Sequence, residues 1–108
     1  MLAKEYRLPS TISFKSSKIF HSPLFTIKVI RNNLKNSRFG FIAGKKLDKR
    51  AVVRNKTKRK VRDIIEKEYL GVKNLDLLFL LKTPSINSQR EEIRNVLESL
   101  MAKIQGNL

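Results

Sequence analysis

The chain has 108 residues, with 24 Lys and Arg against 9 Asp and Glu, a formal net charge of +15 at pH 7 and no cysteine. Its length suits one domain covering residues 1–108, and a hydrophobic content of 41% argues against a disordered chain. The charge predicts a polyanionic partner, most often nucleic acid and less often an anionic membrane surface. Disulfides and thiolate metal sites are excluded.

The positive charge is concentrated in the first part of the chain. Residues 1–62 carry 18 Lys and Arg and 2 acidic side chains, whereas residues 63–108 carry 6 and 7. This split indicates a local binding surface rather than general solubility. The first twenty residues are polar and contain Pro9, unlike a signal peptide. The longest apolar run, LLFLL at 77–81, is too short to span a bilayer, so we expect a cytoplasmic protein without a membrane partner.

The first half of the chain predicts a short helix and two or three strands. Pro9 and a Ser/Thr cluster permit at most a short helix at about 11–19. SPLFTIKVIR at 22–31 and RFGFIAGKK at 38–46 alternate in the manner of strands. The segment between them, NNLKNS, is rich in turn-forming residues, so the two strands are expected to pair as a hairpin.

The second half predicts a helix, a strand and a second helix. Residues 50–70 place an apolar stripe on one side, formed by Val53, Thr57, Val61, Ile64 and Ile65, and Gly71 stands where a C-terminal cap belongs. NLDLLFLLK at 74–82 is typical of a central strand covered by helices. Ser88 and Glu91 predict a capping box before a helix that repeats apolar residues at i, i+3, i+4 and i+7. The order indicates an α/β domain with one mixed sheet.

The helix at 50–70 carries a basic arc beside its apolar stripe. At about 100° per residue, the arc comprises Arg54, Asn55, Lys58, Arg59 and Arg62, with Lys56 and Lys60 toward its far edge. The preceding loop adds Lys45, Lys46, Lys49 and Arg50. Arg forks and Lys ammonium groups suit phosphate, and Asn can hydrogen-bond sugar or base edges. A solvated helix face is the plainer interpretation, but such faces normally alternate charges at i,i+4. DNA is also compatible with these residues alone.

Candidate catalytic residues are scarce. A hydrolytic site needs paired carboxylates for a metal, or a nucleophile with a base. His21 precedes Ser22 and Pro23 at a strand start, where a structural hydrogen bond is the simpler role. The acidic residues of both helices are explained by charge pairing and the helix dipole. These observations disfavour a metal-dependent nuclease that acts alone.

The stretch FGFIAGKKLDKRAVVRNKTKRKVRD at 39–63 resembles the hallmark of the bacterial ribonuclease P protein subunit, of the type GxxxSKKxGxAVxRNRxKRxxRE. The matching positions are Arg38, Gly40, Lys45, Lys46, Ala51, Val52, Arg54, Asn55, Lys58, Arg59 and Arg62. RL at 7–8, FHSPLFTIKV at 20–29 and DLLFLLKTP at 76–84 also agree. Lys56 replaces an Arg of the family. The segment between Arg7 and Phe20 is shorter than the family's first helix, which carries two aromatic residues about one turn apart.

The resemblance implies an α+β sandwich: a mixed four-stranded sheet with a left-handed β-α-β crossover, similar to the second domain of ribosomal protein S5. Sequence rules alone favour right-handed crossovers. The implied function is to assist the catalytic RNA subunit of ribonuclease P in the endonucleolytic removal of the 5′ leader from precursor tRNA. Catalysis would belong to the RNA, which would also hold most of the Mg²⁺. No obligate protein partner is expected.

The resemblance also implies two binding surfaces. The catalytic RNA would contact Lys45, Lys46, Arg50, Arg54, Asn55, Lys56, Lys58, Arg59 and Arg62. A cleft between the first helix and the open sheet face would bind the 5′ leader through Phe14, Phe20, Lys28 and Arg38. The alternative is a structural, ribosomal-type protein that binds rRNA, which would share the size and basicity but not the KK…RNxxKR block.

Overall fold

The computed structural model describes residues 2–107. Its strands are β1 (Lys18–His21), β2 (Phe25–Arg31), β3 (Arg38–Ile42) and β4 (Leu75–Leu81), its long helices are α1 (Ala51–Glu68) and α2 (Arg90–Gly106), and short 3₁₀ helices span Lys4–Tyr6 and Thr83–Ile86. The strands form one mixed sheet in the order β1-β2-β4-β3, with β3 and β4 parallel and the other two pairs antiparallel. The predicted fold class is confirmed.

The helix α1 connects the parallel strands β3 and β4, which are neighbours in the sheet, so the predicted β-α-β crossover is present. Its left hand stays a prediction. Neither α1 nor any other helix within residues 2–107 has the length and apolar character needed to cross a membrane.

Both long helices pack on one face of the sheet, termed here the covered face. The side chains of Ile27 on β2, Phe79 on β4 and Phe39 on β3 point to this face and are almost fully buried. Phe79 makes an edge-to-face contact with Phe25 at 5.6 Å between ring centroids and a stacked contact with Phe41 at 5.2 Å. The apolar stripe predicted for the first long helix is confirmed: Thr57, Val61, Ile64 and Ile65 are buried, and Val53 is half-buried.

The opposite side of the sheet, termed the open face, is more accessible. Ile19 at one edge and Ile42 at the other are 50% and 48% exposed. The amino-terminal segment crosses part of this face, because Leu8 lies over Gly40. A Cβ atom at Gly40 would lie 2.9 Å from Leu8 Cδ2, so the absence of a side chain there permits the close approach. The rest of the open face carries neither long helix.

The predicted hairpin of the second and third strands is wrong, because β4 lies between β2 and β3. Residues 32–37 therefore span two strand spacings, about 9–10 Å, which a six-residue connection can cross. Polar groups fix this connection against the start of β4: the Asn32 N–H donates to Asn74 O at 2.8 Å, and the Leu75 N–H donates to Ser37 Oγ at 3.1 Å. Asn74 adopts a left-handed backbone conformation with φ of 66°.

The predicted short helix at 11–19 is also wrong. Isolated turns stand there instead, and Ser17 donates to the carbonyl of Phe14 through both its N–H and its hydroxyl. Short polar side chains of this kind compete with helical hydrogen bonds. Residues 18–21 then form β1 against β2, since each strand gains backbone partners from the other.

Two predicted helix caps are not formed. The Ser88 hydroxyl donates to Pro84 O at 2.9 Å, so it closes the preceding 3₁₀ helix and leaves α2 without a side-chain cap. Gly71 lacks the positive φ of a left-handed cap, and the C-cap of α1 is Tyr69, whose N–H donates to Ile65 O. The helix boundaries nevertheless agree with the sequence to within two or three residues.

A buried ion pair joins β3 to β4. Arg38 donates to both carboxylate oxygens of Asp76, at 2.9 and 2.7 Å, and Asn32 Nδ2 donates to the same carboxylate at 2.8 Å. The Asp76 side chain is 2% exposed and that of Arg38 is 19% exposed. Their hydrogen bond raises the pKa of Arg38. Three donors thus compensate the buried negative charge.

Replacing Asp76 with Asn removes the charge that Arg38 faces. We expect the free energy of unfolding to fall by about 3 kcal/mol, the low end for a broken buried pair, because Arg38 keeps partial access to water. Urea titration measures this change. The control Asp63→Asn breaks the exposed pair with Arg90, at 3.1 Å, and should cost less than about 1 kcal/mol. Equal losses in the two variants would contradict the structural role of Asp76.

Candidate nucleic-acid interface

The exposed side of α1 and the loop before it form a surface of unpaired cations, termed the basic face. The side chains of its members, five cations and Asn55, make no hydrogen bond or ion pair with any other residue in the range 2–107; the cations are Lys45, Lys46, Lys56, Lys58 and Arg59. Lys58 is half-buried and the others are exposed. Cations left without acidic partners in the fold are available to an external polyanion.

The loop that carries Lys45 and Lys46 is held in place in its middle and where it meets α1. Leu47 is 8% exposed and anchors its middle to the protein. Asp48 accepts hydrogen bonds from the N–H and the guanidinium of Arg50 at 2.8–3.0 Å. These bonds, the side-chain one foremost, lower the pKa of Asp48 to about 2. The carboxylate of the loop therefore stays charged at neutral pH and fixes the start of α1.

Arg54 has a different environment from the one that its place in the predicted arc suggests. Its Nη1 donates to the carbonyl oxygens of Asp48 and Lys49, at 3.0 and 2.9 Å, and the side chain is half-buried. The guanidinium is thus a brace between α1 and the loop. Its remaining N–H groups keep the capacity to bind phosphate.

Lys60, at the far edge of the predicted arc, is turned into the fold. Its ammonium donates to the carbonyl oxygens of Ser85, Ile86 and Ser88 at 2.8–3.0 Å. Burial lowers the pKa of Lys60, and the charges of Lys56 and Arg90 lower it further. This ammonium uses all three of its donors to fasten α1 to the segment that precedes α2.

The open face places one cation among apolar side chains. The pairing register aligns Lys28 with Ile19 on β1, Leu78 on β4 and, beyond it, Gly40 on β3. Lys28 and Leu78 are half-buried. The arrangement offers a charged group beside flat apolar surface, which suits a phosphate and an unstacked base at the same site.

The next set of residues aligned across the sheet contains the single histidine. His21 is aligned with Thr26, and its Nδ1 lies 3.3 Å from the Thr26 hydroxyl, within hydrogen-bonding distance. The structural role predicted for His21 agrees with this contact. On the other two strands, Leu80 of β4 is aligned with Thr26, and Ile42 of β3 is aligned with Leu80.

The other residues predicted for the leader cleft are not brought together. Phe20 alternates with Ile19 and lies on the covered face, where it packs against the core, so its predicted position opposite Lys28 is wrong. Arg38 lies on the open face but is bound to Asp76. Phe14 is half-buried in the turns before β1, and its place in the cleft stays a prediction.

Sequence reasoning gave no role to Arg7. Its backbone forms a parallel bridge with Phe39, which extends the sheet beyond the edge of β3. Arg7 and Arg62 of α1 border one cavity. No periodicity links residue 7 to residue 62, so only the fold could bring them together.

The acidic side chains do not form a metal centre. Across residues 2–107, no group of three or more His, Cys, Asp or Glu side chains is arranged to hold a metal ion. Asp76 and Asp48 are instead occupied by Arg38 and Arg50. The described residues therefore do not fit a resident divalent cation.

Comparison with known proteins identifies the family. The family model described as ribonuclease P matches residues 2–105. The ribonuclease P protein component of Chromobacterium violaceum is 32% identical over 103 residues, or 95% of this chain and 84% of that protein. The corresponding component of a Marinomonas species is 33% identical over 89 residues, or 82% of this chain and 67% of that one.

Solved structures agree in fold. The RNase P protein from Thermotoga maritima is 26% identical, with a TM-score of 0.72 over 81% of this chain and 84% of that one. The Staphylococcus aureus RNase P protein is 24% identical, with a TM-score of 0.80 over 92% of this chain and 94% of that one. This second similarity supports the fold alone. On the family match and the identity to these relatives, the chain belongs to the ribonuclease P protein family.

Proposed function

We propose that this chain binds the catalytic RNA of ribonuclease P and assists it in removing the 5′ leader from precursor tRNA. The family match and the relatives support a protein component of ribonuclease P that acts in tRNA processing. The observation that supports RNA binding is the basic face, where the side chains of the cations on α1 have no partners in the fold. The proposal places this activity in the cytoplasm and requires no second protein.

The basic face is assigned to the catalytic RNA. Asn55, Lys56 and Arg59 project from one side of α1, and Lys45 and Lys46 extend the same positive surface into the braced loop. Phosphates that approach such a surface release condensed counterions, which supplies a large part of the binding free energy. Arg50 and Arg54 hold the loop and contribute charge, so their effect on RNA includes a positioning component.

The open face is assigned to the 5′ leader. Single-stranded nucleic acid binds where cations track its backbone and flat apolar groups accept its bases. Lys28 offers the cation, and Ile19 and Ile42 offer exposed apolar surface on either side of it. The chemistry of hydrolysis is assigned to the RNA, along with most of the Mg²⁺, since the described acidic residues do not form a metal centre.

The RNA assignment is tested by Arg59→Ala. Loss of one phosphate contact should weaken binding to the catalytic RNA by about tenfold and lower the slope of log K against log salt concentration by about 1. Filter binding over a range of salt concentrations measures both. The control Lys67→Ala removes an exposed cation near the end of α1, beside Asp63 and Glu66, and should leave both values unchanged. An unaltered affinity for Arg59→Ala would contradict the assignment.

The leader assignment is tested by Lys28→Ala. The protein–RNA complex should bind precursor tRNA about fivefold to tenfold more weakly, because one phosphate contact is lost, while its affinity for leaderless tRNA stays constant. Lys18→Ala is the control. Lys18 is aligned with Val29 of the covered face, and its ammonium donates to Asn107 O. Equal losses for both tRNAs would contradict a leader contact at Lys28.

A further inference from the structure

A cavity of about 280 Å³ lies where the amino-terminal segment meets α1 at the edge of β3. Its lining is mostly apolar, from Leu2, Leu8, Phe39, Gly40 and Phe41, with two cations, Arg7 and Arg62. None of the described residues that border it is acidic. At this size the cavity suits one compact group rather than a drug-sized ligand.

The sheet geometry explains why Arg7 reaches this cavity. Residues aligned in a parallel pair point to the same face, so Arg7 points with Phe39 to the covered face, while Leu8 points with Gly40 to the open face. The helix α1, which carries Arg62, packs on the covered face and contacts β3. Two arginines from segments 55 residues apart in the chain thus converge at one place.

The two guanidinium groups lack partners within the described part of the chain. Arg62 Nε is buried and has no hydrogen-bond partner. Neither Arg7 nor Arg62 makes a side-chain hydrogen bond or ion pair within residues 2–107. A buried donor without an acceptor is unfavourable, and the two cations that border this mostly apolar cavity have no counter-charge among its described lining residues. An anion with several acceptor oxygens would supply both the acceptor and the counter-charge.

We propose that Arg7 and Arg62 together bind a single phosphate group of RNA in this cavity. The inference rests on the proposed function and adds to it a joint site that links the amino-terminal segment to α1. Arginine is suited to such a site, because its planar fork binds phosphate oxygens in pairs. The cavity borders both α1 and the open face, so the phosphate belongs either to the catalytic RNA or to the precursor tRNA.

The first test needs no RNA. Thermal unfolding of the full chain is followed in sodium phosphate and in sodium chloride at matched ionic strength. The midpoint should rise more in phosphate, by RT ln(1 + [L]/Kd) in free-energy terms. Arg7→Gln, Arg62→Gln and the double variant should each lose the same increment, and Lys4→Gln, a control in the same segment, should lose none. If Arg62→Gln does not fold, Arg7→Gln decides the result, since Arg7 is exposed.

The second test locates the phosphate. Salt dependence is measured for catalytic RNA with the protein, and for precursor tRNA with the assembled complex. In one of these two measurements, each single variant and the double variant should lower the slope of log K against log salt concentration by about 1. The effect is the same in all three variants because both arginines share one phosphate. A slope lowered by about 2 in the double variant, or unchanged in every variant, would overturn the inference.

The two proposals fail in different ways. A wild-type chain that binds RNA with a steep salt dependence, which Arg7→Gln and Arg62→Gln leave unaltered, overturns the shared site and leaves the proposed function intact. A wild-type chain that does not bind the catalytic RNA overturns the proposed function. The phosphate-dependent shift in unfolding midpoint then still tests the cavity by itself.

Discussion

The carboxylate of Asp76 lies almost fully buried at the start of β4 and accepts hydrogen bonds from Arg38 of β3 and Asn32 of the β2–β3 connection. This contact ties three separate segments to one point and holds the connection across the end of β4. The most apolar strand therefore occupies an inner position between β2 and β3. Both long helices pack on one side of that sheet, and the other side remains accessible to a ligand.

The cations of this chain divide into those that hold the fold and those that have no partner in it. Arg38, Arg50, Arg54 and Lys60 bind carboxylates or carbonyl oxygens, and each of these contacts fixes a loop or joins two elements. The basic face lacks such contacts. Repulsion among the cations of this face destabilises the free protein and favours binding to a polyanion. The paired cations hold this surface in one shape in the free protein.

Much of the fold could be predicted from local pattern. The buried stripe of α1 and the central strand β4 follow from the spacing of apolar residues, which depends on neighbours a few positions away. Strand order could not be predicted, because the Asn32–Asp76 contact joins residues far apart in sequence. The failed cap at Ser88 has the same origin, since Pro84 O competes for its hydroxyl. Of the site, the exposed arc was predictable, whereas the loop brace at Arg54 and the cavity at Arg7 depend on tertiary contacts.

The proposed function of the chain is to support catalysis by an RNA through binding. Cleavage of precursor tRNA at low Mg²⁺ tests it most directly, with the protein alone, its catalytic RNA alone, and the two together. We expect cleavage chiefly in the combined reaction, because the cations of the protein substitute for part of the Mg²⁺ that neutralises phosphate. Cleavage by the protein alone would contradict the claim, as would a demonstrably active catalytic RNA to which the protein adds nothing.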